Sequence, residues 1–381
     1  MIGSIRLLHY TGTLLTVPVP LPAPDRAAYS AIVATGLLAR AGALIRPRLP
    51  PAGKVFVVTT PTVRRLWGTP LLAGLAAAQI SATVLEMPDG ERHKTLATLQ
   101  ALAEAMVAAG ADRDALVIAL GGGVVGDVAA FLASVYMRGV ALIQIPTTLV
   151  AMVDSSLGGK TAVNLEAGKN LLGTFYHPRA ILVDPATLAT LPPREYRSGL
   201  AEAIKYGIIA DRKLFESIEA HAAALARADP QALEPLIAAC LRQKAAVVVA
   251  DEREGDLRRV LNFGHTLGHA IESATSYERF LHGEAVAWGM IAAGQIALRL
   301  GRFHPDEARR MNAAILAVSG PLPPLALAPA LILRHAASDK KASAGVLHFV
   351  LPTRIGQVEI VKDVPPPVIL AALADTTALP R

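Results

Sequence analysis

The chain has 381 residues, room for two domains at about 150 residues each. With 52% apolar and 18% charged residues it is not a disordered polypeptide, and 4% aromatic residues leave few platforms for stacking single-stranded nucleic acid. A net charge of +6, from 37 Lys+Arg against 31 Asp+Glu without a long basic run, gives no nucleic-acid patch.

Residues 1–27 are Pro-rich and aperiodic, and read as an extension. They make a poor signal peptide, because one Arg precedes an apolar part that breaks into Pro-Val-Pro-Leu-Pro-Ala-Pro. The uncharged stretches 7–24 and 311–333 each hold four prolines, which rules out an uninterrupted membrane helix. A soluble, cytoplasmic protein is expected. The single cysteine, Cys240, excludes disulfides within the chain and CxxC metal sites.

From Lys54 onward, short β-branched runs predict strands at 55–59, 82–86, 116–120, 142–145 and 180–183, with helical segments at 62–78, 94–109 and 126–137. This alternation predicts a parallel sheet covered on both faces. After Asp184 the strands give way to helical segments at 195–210, 212–226, 231–250, 263–275 and 284–300, and only 345–352 looks strand-like again. Prolines 185, 192 and 193 mark the boundary. The expected architecture is an α/β domain over 28–185 with a Rossmann-like parallel sheet, then a mostly α-helical domain over 186–381, with a cleft between them.

Three constellations carry chemistry. Gly121-Gly-Gly-Val-Val-Gly-Asp127 satisfies G-x-G-x-x-G between a predicted strand and helix, where glycines let the backbone approach a pyrophosphate. The loop is not in the first βα unit and no acidic residue ends the next strand, so it reads either as a tight turn or as a variant dinucleotide cradle. Glu202, His265 and His282 form a two-imidazole, one-carboxylate set that suits catalytic zinc or non-haem iron, or else they are structural histidines. His265 and His269 share a helix face, but Thr266 stands where a zinc protease has its glutamate. The run from Asp154 to Asn164, followed by Gly168-Lys-Asn170, places two Gly-Lys steps in an apparent loop, either an anion cradle or a solvated surface. Arg138, Lys244, Arg258 and Asn262 add donors near predicted helix ends, each of which alone would be a surface group.

Together these stretches resemble the 3-dehydroquinate synthases, sugar-phosphate cyclases of the shikimate route. The resemblance runs from about residue 29 to 356. It is carried by Pro88-Asp-Gly-Glu-Arg-His-Lys94, the glycine loop, Tyr136-Met-Arg-Gly139, Ile145-Pro-Thr-Thr148 and the Asp154–Asn164 run. Arg197-Ser-Gly-Leu-Ala-Glu-Ala-Ile-Lys-Tyr206, Leu261-Asn-Phe-Gly-His-Thr-Leu-Gly-His-Ala270, Leu281-His-Gly-Glu284 and Asp339-Lys-Lys341 complete it.

The resemblance implies NAD and a divalent metal, zinc or cobalt, held by Glu202, His265 and His282. It implies NAD contacts at Asp89, Gly90, Glu91, Lys94, Gly123, Val124, Val125, Gly126, Asp127, Thr147, Thr148, Lys160, Lys169, Thr187 and Thr190. A small anionic sugar-phosphate substrate would meet Arg138, Asp154, Lys160, Asn170, Lys205, Lys244, Arg258, Asn262, His269 and one of Lys340 and Lys341. Neither nucleic acid nor membrane is implied as a partner, and a homodimer is compatible with this picture. The implied reaction turns 3-deoxy-arabino-heptulosonate 7-phosphate into 3-dehydroquinate and phosphate, with NAD regenerated in each cycle. Sibling cyclases making aminodehydroquinate or 2-deoxy-scyllo-inosose share the fold, metal and NAD, whereas His269 and the Asp154–Asn164 run resemble the primary-metabolism type. A metal-dependent polyol dehydrogenase would release NADH and has no need of a cationic set around Lys160, Lys205, Lys244 and Arg258. Three positions depart from the family pattern: in Thr59-Thr60-Pro61-Thr62 after the first strand, Thr60 and Thr62 replace the Asp and Asn of Thr-Asp-x-Asn, and Ala130 replaces a usual glycine.

Overall fold

The computed structural model describes residues 29–50, 53–339 and 347–379. Among them are ten strands: β1 (Ser30–Val33), β2 (Val55–Thr59), β3 (Ala82–Glu86), β4 (Leu116–Gly121), β5 (Ala141–Pro146), β6 (Lys160–Leu165), β7 (Gly168–Phe175), β8 (Ala180–Val183), β9 (His348–Arg354) and β10 (Gln357–Lys362). Six form one sheet in the order β1-β8-β5-β4-β2-β3, every pair parallel. β4 lies inside it, Leu116 pairing with Val55 on one side and Ala141 on the other.

Strands β2, β4, β5 and β8 are buried along their whole length, which is why they read as continuous apolar runs. Alternate residues of β4 serve opposite faces. Val117 and Ala119 pack with Val125, Val128 and Leu132 of the helix Gly123–Val135 and with Leu102 and Met106 of Leu96–Ala108. Leu116, Ile118 and Leu120 pack with Leu38, Ile45, Leu71 and Leu75 on the other face. The chain leaves β2 toward β3 at one edge and leaves β4 toward β5 in the opposite direction. The C-terminal ends of these two neighbours therefore open a crevice, where ligands of such sheets bind.

Beyond β8 the chain is mainly helical, with Pro193–Ala210, Pro230–Ala250, His265–Ala274, His282–Arg299, Pro305–Ser319, Pro329–Asp339 and Pro366–Thr377 as its longer helices. Their core centres on Tyr206, Phe215, Phe263, Ile271 and Ile291, and it takes in Met152, Val153, Ile181 and Val183 from the first half. One continuous apolar body thus joins the two halves behind the crevice. No helix among the described residues is long and apolar enough to cross a membrane.

The structure corrects several expectations. The two Gly-Lys steps lie on an antiparallel hairpin, β6–β7, rather than in a loop. β7 is exposed along most of its length and carries few β-branched residues, so it gave no strand signal. The edge strand β1 and β10 were also missed. The segment 212–226 breaks into Arg212–Ala220 and Ala222–Ala226 around His221. His282, outside the helix expected at 284–300, is the first residue of its helix, because the Glu284 carboxylate accepts from the Leu281 N–H at 2.8 Å and caps it.

Candidate active site

A cleft of about 1420 Å³ is lined by the C-terminal ends of the sheet, the β6–β7 hairpin and the helices that follow. Single-ligand pockets hold roughly 300–1,000 Å³, so this one has room for a dinucleotide and a second small molecule together.

The glycine loop forms the sheet side of the cleft. β4 ends at Gly121 and the helix begins at Gly123, with no side chain capping its first turn. A Cβ on Gly122 would stand 2.9 Å from Thr148 Cγ2, and one on Gly121 would stand 2.6 Å from Val125 Cβ. Glycine at 122 lets the turn lie this close to the end of β5, and glycine at 121 lets the following helix fold back tightly over it. The free N–H groups and positive end of the helix remain available to a pyrophosphate. Nearby, the buried Lys94 donates to Asp127 Oδ2 and Asn170 Oδ1, tying the loop to the hairpin. Asn164 Nδ2 donates to Glu91 Oε1 at 2.8 Å and pins the hairpin a second time. Thr60 Oγ1 caps the N–H of Val63, and Thr62 Oγ1 donates to Asp89 Oδ2 at 2.9 Å. Asp89 thus brings a carboxylate to the end of β2, where the sequence itself lacks one.

On the opposite wall stands a group of metal-ligating side chains. Glu202 is fully buried in the helix Pro193–Ala210, and its Oε1 has no hydrogen-bond donor among the described residues. That oxygen faces His282 Nε2 at 3.5 Å and His265 Nε2 at 3.7 Å. Ligands about 2.1 Å from a tetrahedral zinc ion stand roughly 3.4 Å apart, so an ion of this kind fits among the three. The far side of each imidazole is already committed. His265 Nδ1 meets the Phe263 carbonyl at 3.0 Å, and His282 Nδ1 meets Glu272 Oε2 at 3.3 Å. Both partners are acceptors, so each Nδ1 carries the proton and each Nε2 presents a lone pair. Burial, then Lys205 and the neighbouring imidazoles, hold His265 well below its ordinary pKa. Burial acts the same way on His282 but is outweighed by Glu272 and Glu202, which raise it. His269 offers a further nitrogen to the same space, the three histidines having ligand atoms within 4.8 Å of one another.

Beside this group lies a knot of buried charge. Asp154 is carried on a wide π-helical turn, Ala151–Ser155. Its carboxylate accepts from Lys205 Nζ at 3.2 Å and from Lys244 Nζ. Lys205, with no exposed surface, also pairs with Glu202 Oε2 at 2.7 Å. Burial favours a protonated Asp154, but Lys205 and Lys244 reverse that and hold it well below the usual carboxylate range. Burial likewise disfavours the Lys205 ammonium, yet Asp154 and Glu202 overcome it and raise the pKa above that of ordinary lysine. For Lys244 burial prevails over Asp154, and its pKa is lowered. Arg258 is not the surface charge its sequence position suggested. It is buried and donates to the carbonyls of Glu252 and of Gly158, the latter at 3.2 Å.

Most of the residues singled out in the sequence converge on this cleft. Asp89, Gly90, Glu91, Lys94, Gly123–Val125, Asp127, Thr147, Thr148, Asp154, Lys160, Lys169, Asn170, Thr187, Thr190, Lys205, Lys244, Arg258, Asn262, His265, His269 and His282 all line it. Glu202 lies directly beneath its wall, and Gly126 packs toward Gln144. Arg138 stands apart: it is exposed, with a φ of +69°, on the turn after the helix Gly123–Val135, and it does not line this chain's cleft. Lys340 and Lys341 lie outside the described residues. Ala130 is buried in its helix without disturbing it. Sequence reasoning missed Glu272, which orients His282, and Glu254, whose carboxylate pairs with Lys160 and accepts from Asn262 at 3.2 Å. Glu272 follows His269 by one helical turn, a spacing that could have flagged it.

Comparison with known proteins agrees with this geometry. The family model "3-dehydroquinate synthase N-terminal" matches residues 84–198, and "3-dehydroquinate synthase C-terminal" matches 199–342. A 3-dehydroquinate synthase of Koribacter versatilis is 47% identical over 94% of this chain and 97% of its own. One of Solibacter usitatus is 49% identical over 92% and 97%. Among solved structures, 2-epi-5-epi-valiolone synthase of Streptomyces hygroscopicus, with NAD⁺ and Zn²⁺ bound, superposes with a TM-score of 0.85 at 32% identity, covering 94% of this chain and 99% of that one. A 2-deoxy-scyllo-inosose synthase complexed with carbaglucose-6-phosphate, NAD⁺ and Co²⁺ gives 0.82 at 28%, covering 91% and 96%. A probable glycerol dehydrogenase of Sinorhizobium meliloti, 16% identical with a TM-score of 0.63, shares the fold alone. With both halves matched in order and nearly half the residues shared along almost the full length of its relatives, the chain belongs to the 3-dehydroquinate synthase family.

Proposed function

We propose that this chain is a carbon–oxygen lyase that converts 3-deoxy-arabino-heptulosonate 7-phosphate to 3-dehydroquinate and phosphate, with NAD and a divalent cation, zinc or cobalt, as cofactors. The observation that carries this reading is the meeting, in one cleft, of the glycine loop, the Glu202–His265–His282 group and the buried cations Lys205, Lys244 and Arg258. When bound, the cation supplies Lewis acidity at neighbouring substrate hydroxyls, and the dinucleotide accepts a hydride and returns it.

The chain's own residues do the rest. Asp154 fixes two ammonium groups within one hydrogen-bond network, so the cationic wall is set before substrate arrives. Two carbonyls hold Arg258 by part of its five-donor fork, and the remaining N–H groups are free to meet a phosphate or carboxylate. Lys205 reaches both Asp154 and Glu202, which places an ammonium at the edge of the metal group, where a substrate hydroxyl or carboxylate would lie. Lys94 couples the loop under the dinucleotide to Asn170 on the hairpin, so cofactor and substrate positions are fixed relative to each other. The single cysteine, buried Cys240, suits the reducing cytoplasm where we place this reaction.

A sibling cyclase acting on another sugar phosphate is the second reading, favoured by the likeness to 2-epi-5-epi-valiolone and 2-deoxy-scyllo-inosose synthases. The test is product analysis with purified, zinc-loaded protein given either the heptulosonate phosphate or glucose 6-phosphate. Formation of 3-dehydroquinate from the first and no carbocycle from the second is expected. The reverse would transfer the assignment to the sibling class.

A further inference from the structure

Tyr277 stands on the cleft wall just beyond the helix His265–Ala274. Ser276 and Tyr277 have φ values of +54° and +60°, two consecutive non-glycine residues in the left-handed region. A bulky residue adopts this conformation only where its surroundings impose it. Here the Ser276 N–H donates to the Ser273 carbonyl at 3.1 Å and the Tyr277 N–H to the Glu272 carbonyl at 2.8 Å. The result is that the phenol ring reaches across the cleft to the β6–β7 hairpin, with Lys169 Nζ 3.9 Å from its centroid. That is well inside the distance at which an ammonium is held by an aromatic face.

Lys169 is a long, half-buried side chain on an otherwise exposed strand, and its charge also acts on the Glu272 carboxylate, which attracts it without fixing its rotamer. The ring holds its ammonium from one side and leaves it on the cleft wall. We propose that Tyr277 is a positioning residue for Lys169, pre-ordering that ammonium for the negative charge of the bound dinucleotide. The helix that carries His265 and His269 thereby also sets a contact on the cofactor side. This rests on the reading above that Lys169 meets NAD. Ordering a side chain before binding lowers the entropic cost of association, so loss of the ring weakens cofactor affinity rather than the chemical step.

The experiment is calorimetric titration of NAD⁺ into the full-length protein and its Tyr277→Phe, Tyr277→Leu, Lys169→Met and Tyr277→Leu/Lys169→Met variants. Tyr277→Leu is expected to raise Kd about two- to fivefold, the equivalent of about 0.5–1 kcal/mol. Tyr277→Phe, which keeps the ring, is expected to bind more tightly than Tyr277→Leu. Lys169→Met is expected to raise Kd at least as much as Tyr277→Leu, and the double variant no further than Lys169→Met alone. Equal effects of Tyr277→Leu in both backgrounds, a Phe variant as weak as the Leu variant, or unaltered affinity in Lys169→Met would each overturn the inference and leave the cofactor assignment standing. Failure of the parent protein to bind NAD⁺ would remove both.

Discussion

The imidazole of His282 is held between two carboxylates: Nδ1 lies 3.3 Å from Glu272 Oε2, and Nε2 lies 3.5 Å from Glu202 Oε1. The first sets the tautomer and the ring plane, and the second shares the space where a cation fits. Burial raises the pKa of Glu272, but the hydrogen bond and charge of His282 overcome it and lower the pKa, so the orienting group is an anion at neutral pH. Removing such an orienting partner typically weakens metal affinity about 10- to 100-fold. Glu272→Ala should therefore lose zinc affinity by that order in competition with a chromogenic chelator. Glu202→Ala, which removes a proposed ligand itself, should lose more. A Glu272→Ala protein that binds zinc like the parent would show that this carboxylate only packs against the helix.

Lys205 has two carboxylates as partners and no contact with solvent. Its truncation leaves the buried Glu202 without its cation and Asp154 with Lys244 alone, a cost of about 3–5 kcal/mol in stability. Loss of the proposed charged contact to substrate would add about 2–5 kcal/mol to the barrier, roughly 30- to several-thousand-fold in kcat/KM. Lys205→Ala is expected to lower Tm measurably and to reduce phosphate release at least about tenfold. An unchanged kcat/KM in the folded variant would make Lys205 a purely structural ion.

Asp154 gives the protein an acid-sensitive element. Its folded pKa lies below the unfolded value of 3.8, so the stability it contributes is present above that value and lost as pH falls through the folded pKa. Denaturant titrations between pH 5 and about pH 2 should show the parent losing stability across the lower part of this window. Asp154→Asn should be less stable at pH 7 and should fall less steeply, because the titrating group is gone. Parallel curves for the two proteins would place the acid sensitivity elsewhere.

The glycine loop makes a prediction with its own rescue. Gly122→Ala places a methyl group 2.9 Å from Thr148 Cγ2, closer than a real Cβ tolerates, and should weaken NAD⁺ binding by displacing the loop. Thr148→Ser removes that methyl and keeps the hydroxyl that accepts from the Ala151 N–H at 3.3 Å. The Gly122→Ala/Thr148→Ser protein should therefore recover most of the lost affinity. If it binds as weakly as Gly122→Ala alone, the close approach to β5 is not what requires glycine.

Most of the parallel sheet could be read from the sequence because β2, β4, β5 and β8 are buried on both faces and leave uninterrupted apolar runs. The hairpin could not. β7 packs on little and its residues answer to the cleft rather than to a core, so its pattern follows function instead of period. The same distinction divides the site. Glu202, His265 and His282 stood out by residue type and motif, whereas Glu254 and Glu272 matter only through the side chains they meet in space. Arg258 shows the reverse error, since a guanidinium held by two backbone carbonyls can be buried where sequence position suggests solvent. Arg138 carries a motif resemblance that the geometry of this one chain does not use.

The proposed reaction borrows and returns hydride within one cleft while phosphate is lost. It is tested most directly by giving zinc-loaded protein an excess of 3-deoxy-arabino-heptulosonate 7-phosphate with substoichiometric NAD⁺, and following inorganic phosphate and the 340 nm absorbance of NADH together. Many phosphates released per NAD⁺, with no accumulation of NADH, is the predicted result. One NADH accumulated per turnover, with reaction stopping when NAD⁺ is consumed, would contradict it.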